Sequence, residues 1–254
     1  MLIRFTSPMT WSDPAAEARL KDIIAGMRAA GVIDMFERIV AHVWKVNVDR
    51  FEPSEIGDTN RSLGITATEN IRTLVLRESW TASNPAGLGN RVHVTAPNDS
   101  LLVEAAGARL RVMKCPPAIT LSEPRWDTDF RWQAESDVRL EAAAANAAVC
   151  NQFLAVPGGL FENMEQPAEW AAQLREVILV WAGGSNNPLT GGWIGLPTVG
   201  DRPWLAVQSV WRHGTGATTS GERDSDAPVS DVFSEKDAPS PVVSLKQRSN
   251  RARR

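Results

Sequence analysis

Two runs of apolar residues at helical spacing open the chain. Ala16, Leu20, Ile23, Ile24 and Met27 form the first, and Val32, Met35, Phe36, Ile39, Val40 and Val43 form the second beyond Gly31. Asp13-Pro14 marks the first helix start, because a carboxylate accepts from free first-turn amides and proline at the first position loses no useful donor. That helix is expected to run toward Ala30. The next stretch, FEPSEIGDTNRSLGI, gathers Pro53, Gly57, Asp58, Asn60 and Gly64 without periodicity and reads as an ordered polar loop. Thr66, three residues before Glu69, then predicts a capping box, opening a third helix that buries Ile71, Leu74 and Val75 and ends near Trp80.

From Arg91 the apolar period changes from helical to two. RVHVTA, SLLVEA and ARLRVMK read as three strands, the last two joined by a turn at Ala106-Gly107. That turn pairs Ala105 with Ala108, Glu104 with Arg109, Val103 with Leu110, Leu102 with Arg111, Leu101 with Val112 and Asp99 with Lys114. An alanine-rich segment from Arg131 to Phe153 predicts a helix with Val138, Ala142, Ala145 and Val149 along one side. PAEWAAQL predicts a short helix. VILVW, apolar on both faces, reads as a central strand, with WIGLP and WLAVQSVW as two more. The order of elements implies an α+β fold with a single mixed or antiparallel sheet packed by helices.

Composition changes this picture mainly at the C-terminus. From Arg212 the chain turns to Ser, Gly, Asp and Pro with few large apolar residues, which predicts an α+β globular domain over 1–211 and a disordered tail with a basic end over 212–254. Of the 27 basic and 30 acidic residues, 19 and 24 fall in the domain, so its surface is mildly acidic and a broad phosphate-binding face is not expected. The terminal KQRSNRARR carries five positive charges and no acid, and without interleaved aromatics it supports only weak, non-specific contact with nucleic acid. Cys115 and Cys150 stand alone, without disulfide or zinc-site spacing, which fits a reducing compartment. No apolar run approaches a membrane span or signal peptide, so a cytoplasmic protein with no membrane partner is expected. Ten tryptophans and no tyrosine imply an indole-rich core.

Candidate chemistry is sparse. His42, His93 and His213 form no local ligand pair, and no metal or cofactor site is identified from the residues. WAGGSNNPLTGGW lacks a phosphate-loop lysine and reads as a connection between strands. No nucleophile elbow is present. The order helix, three strands, helix, strand, with Glu69, Asp99, Glu104 and Lys114 around the hairpin, resembles the core of PD-(D/E)xK nucleases. That resemblance implies a divalent cation held by carboxylates and a lysine steadying water or phosphate. Val112 stands where that pattern has an acid two positions before Lys114. The plainer account makes Glu104–Arg109 and Asp99–Lys114 cross-strand ion pairs.

FEPSEIGDTNRSLGITATENIRTLVLR and LLVEAAGARLRVMKCPP resemble an uncharacterised family of actinobacterial proteins, which implies a small regulatory setting and brings no catalytic residue. The residues themselves favour an interaction or regulatory protein. It would bind a protein partner through the loop from Glu52 to Ile65, with Glu55, Asp58, Asn60 and Arg61 as contact residues, and through the polar face of the hairpin. A metal-dependent phosphodiesterase is the rival reading. A small-molecule binder using Trp181, Trp193 and Trp204 is a third.

Overall fold

The computed structural model describes residues 13–80, 92–116, 124–132, 136–153, 168–184, 188–200 and 202–212. Four helices, α1 (Pro14–Ala29), α2 (Val32–Asp49), α3 (Asn60–Trp80) and α4 (Asp137–Phe153), accompany six strands, β1 (His93–Thr95), β2 (Leu102–Ala105), β3 (Ala108–Lys114), β4 (Glu176–Gly183), β5 (Thr190–Pro197) and β6 (Trp204–Arg212). The strands form one sheet in sequence order, antiparallel except where β3 and β4 run parallel. The fold is α+β with a single mixed sheet. The basic tail expected from 212 lies outside the described residues, apart from Arg212, which closes β6.

Local signals explain most element ends. Asp13 caps α1 through its side chain, accepting from Ala15 N at 2.8 Å and Ala16 N at 3.3 Å. Gly31 (φ 76°) separates α1 from α2 in the left-handed conformation that glycine adopts without strain. Ala106 (φ 51°) and Gly107 (φ 71°) form the two-residue hairpin turn, and the register from Ala105–Ala108 to Leu102–Arg111 is the one the sequence predicts.

Three expectations need correction. α3 begins at Asn60, six residues before Thr66. Its start is fixed by Thr59 and Ser62, each backbone N–H donating to the other's hydroxyl at 3.0 and 3.1 Å, so the reciprocal cap is this pair and not Thr66–Glu69. α4 begins at Asp137 behind Ser136, whose hydroxyl accepts from Arg139 N at 3.3 Å. Its buried face carries Ala142, Ala143, Asn146 and Ala147, while Ala145 is exposed. Asn146 belongs inside because its amide donates to the Glu176 and Pro197 carbonyls at 2.8 and 2.9 Å, sewing the helix to the start of β4 and the end of β5.

Alternation along the strands sends apolar side chains to two cores. Val94, Val103, Leu110, Leu179, Trp181, Ile194 and Ala206 pack under α1, α2 and α3. Met113, Ile178, Val180, Trp193 and Trp204 meet Trp126, Phe130, Trp132 and Ala143 of α4 on the other side. Glycine seats let the indoles approach the sheet: a Cβ at Gly183 would lie 2.2 Å from the Trp44 ring, and one at Gly192 would lie 2.4 Å from Trp211. The described tryptophans on these cores fill volume edge to face, as Trp44–Trp181 and Trp132–Trp204 do.

Candidate functional site

The segment before α3 is closed by its own hydrogen bonds. Asp58 accepts from Glu52 N at 3.1 Å and from the Ser62 hydroxyl at 3.3 Å, and the Glu52 carbonyl accepts from Ile56 N and Asp58 N at 3.4 Å. The Glu52 carboxylate also takes a short hydrogen bond from the Ser54 hydroxyl. Asp58 is therefore a staple of the loop. Glu55, Asn60 and Arg61 are exposed beside it. The closed loop turns Ile56 outward, 72% exposed, and the first turns of α3 carry Ile65 at 55%. These are the exposed large hydrophobic residues among those described.

Helical spacing extends this surface. Arg61, Ile65, Thr68, Glu69 and Arg72 recur three or four apart along the outer face of α3. Arg72 ends the stripe as a clamp: it donates to Glu69 Oε2 at 2.6 Å and to Asp99 Oδ1 at 2.5 Å, and also to the Asp99 carbonyl at 3.3 Å. Asp99 reaches it from a tight turn, Pro97–Asp99, in which Asn98 (φ 51°) and Asp99 (φ 62°) both hold left-handed backbone. Two such residues in succession cost about 1–3 kcal/mol each unless local bonds offset them, and Asn and Asp are the side chains best suited to that conformation. Beside the clamp lies a cleft of about 260 Å³ with Ile71, Leu101, Val112 and Trp181 in its lining and Ser136 and Val138 at the start of α4 on another wall.

The four residues singled out for a metal centre do not converge. Glu69 and Asp99 meet, but on Arg72. Glu104 lies 3.3 Å from Arg109, the cross-strand pair the register implies. Lys114 rests on Gly64 of α3, and the expected Asp99–Lys114 pair is replaced by Asp99–Arg72 because the ladder stops at Leu102 and the chain turns away. Burial without a carboxylate partner lowers the Lys114 pKa, and burial raises the neighbouring Cys115 thiol to about 11. Among the described residues no group of three or more His, Cys, Asp or Glu side chains is placed to hold a metal ion.

Two charged and aromatic features went unread in the sequence. Glu176 bridges Arg109 at 2.9 Å and Arg111 through a short contact, both Glu176 and Arg111 being buried. The Arg109–Glu176 pairing follows from a parallel β3–β4 register that no local motif announces. Trp193 and Trp204 sit in a packed aromatic cluster with Trp126, Phe130 and Trp132, their indole N–H groups without acceptors. Of the three tryptophans considered for ligand binding, only Trp181 lines the cleft.

Alternation places the loop and the hairpin's polar side on opposite faces of the sheet. Val94, Val103 and Leu110 face α3, so His93, Glu104 and Arg109 face away from it. Compared with protein-family models, curated proteins and solved structures, the chain matches none. The resemblances drawn from sequence therefore gain no support, and the residues alone carry the functional argument.

Proposed function

We propose that the protein is a cytosolic interaction module that binds a protein partner through the 52–65 loop and the outer face of α3. One observation carries the reading. Ile56 and Ile65 are held outward on a loop and helix already ordered by their own bonds, so binding need not bear the entropy of ordering them. Glu55, Asn60 and Arg61 supply a polar rim around the two isoleucines, the arrangement of apolar centre and polar margin that interfaces use. The hairpin's polar face, lying on the other side of the sheet, is not part of this surface. The free Cys115 and Cys150 support a reducing compartment, and no helix among the described residues is long and apolar enough to cross a membrane.

Purification of the native complex from the source cells tests the reading. The wild-type chain should bring down one identified protein in stoichiometric amount, and Ile56→Asp with Ile65→Asp should release it while circular dichroism and the melting temperature stay unchanged. Retention of the same protein by the double variant, or a bare monomer from wild-type cells, would count against it.

A further inference from the structure

The cleft at the end of the α3 stripe has a composition that selects its occupant. Its walls are apolar at Ile71, Leu101, Val112 and Val138, while its rim carries carboxylates. Arg72 engages one oxygen of each, Glu69 Oε2 and Asp99 Oδ1, and no described residue donates to Glu69 Oε1 or Asp99 Oδ2. Asp99 is 89% exposed at its side chain, and the left-handed turn points it outward. Acceptors are thus in surplus above an apolar pocket, and a volume of about 260 Å³ accommodates one long side chain.

The charge of the whole stripe has the same sign. Residues 52–72 with the 97–100 turn hold five carboxylates, Glu52, Glu55, Asp58, Glu69 and Asp99, against Arg61 and Arg72. Between the carboxylates stand the exposed Ile56 and Ile65.

Resting on the interaction reading above, we infer that the partner presents a basic amphipathic segment, one of whose arginine or lysine side chains enters the cleft and bonds Glu69 and Asp99 while its apolar residues cover Ile65 and Ile56. A long cationic side chain matches both parts of the cleft: its methylene stem replaces water on the apolar walls, and its head supplies the donors that the rim lacks. An acidic segment would meet the same carboxylates without compensation.

Fluorescence anisotropy with a labelled amphipathic peptide of about 15 residues, built from Leu, Lys and Arg at helical spacing, tests the inference against an analogue carrying Glu in place of Lys and Arg. The basic peptide should bind wild-type protein, with affinity falling as salt is raised. Glu69→Gln with Asp99→Asn should weaken it about tenfold or more, the amides keeping the size and the left-handed tolerance of the originals. Equal binding of the basic peptide to that variant, equal binding of the acidic peptide, or no binding of the basic peptide would overturn the inference. The native complex separates it from its premise. Loss of the partner with the isoleucine variants but not with Glu69→Gln and Asp99→Asn leaves the interaction surface standing and removes the cleft from it; retention with both removes both.

Discussion

Glu176 is the residue on which burial and charge meet most sharply. Its carboxylate sits between Arg109 and the buried Arg111, whose Nε has no acceptor. Removing it would leave a buried guanidinium uncompensated, so Glu176→Ala is expected to cost about 3–5 kcal/mol in urea denaturation, whereas Arg111→Met with Glu176→Leu should cost far less because both charges leave together. Cys115 and Lys114 give opposite pH signatures. The folded thiol holds its proton up to about 11 against an ordinary 9.0, so its contribution is present below pH 9 and is lost as pH rises toward 11. Lys114 has its folded pKa below the ordinary 10.5, so the unfolded chain binds more protons as pH approaches that value, and stability from this group rises with pH. Lys114→Met should raise the urea midpoint at neutral pH and lose that advantage near pH 10. Cys115 should resist alkylation at pH 8 until the protein unfolds.

At the scale of elements, α1 meets the hairpin at its tip. A Cβ on Gly26 would lie 2.6 Å from the Cβ of Ala106, so Gly26→Ala is expected to cost about 1–3 kcal/mol despite its better helix propensity. Ala106→Gly should relieve that cost, and by itself should stabilise the turn by about 1 kcal/mol because Ala106 holds a positive φ. A thermal double-mutant cycle checks both, and additivity of the two changes would refute the contact. The hairpin itself was legible, since alternation and a two-residue turn fix register locally. The start of α3 was misread for a reason visible in the structure: Asn60, Arg61 and Gly64 look like turn residues, but Thr59 and Ser62 satisfy the free amides and Leu63 gains the first core.

The whole molecule shares one sheet between two cores. β4 supplies Val177, Leu179 and Trp181 to one side and Ile178 and Val180 to the other, so neither core can open without losing strands of its neighbour. A single cooperative transition is expected, with tryptophan fluorescence and far-ultraviolet circular dichroism coinciding in urea; two separated midpoints would show that the cores unfold independently. The same sheet divides the surface, keeping the isoleucine-bearing stripe of α3 on one side and the ladder of Glu104, Arg109 and Glu176 on the other.

Periodicity and turn chemistry by themselves determined the helix and strand inventory, the hairpin register and the α+β class, because each depends on residues within a few positions of one another. Tertiary structure alone decided the partners of the charges. Asp99 left Lys114 for Arg72, 27 positions away, and Arg109 added Glu176 at a separation of 67, because a parallel crossover and a folded-back turn brought them together. It also decided which apolar residues remain outside. Ile56 and Ile65 carry no local mark separating them from the isoleucines of the core, and only the closed loop and the orientation of α3 leave them facing water.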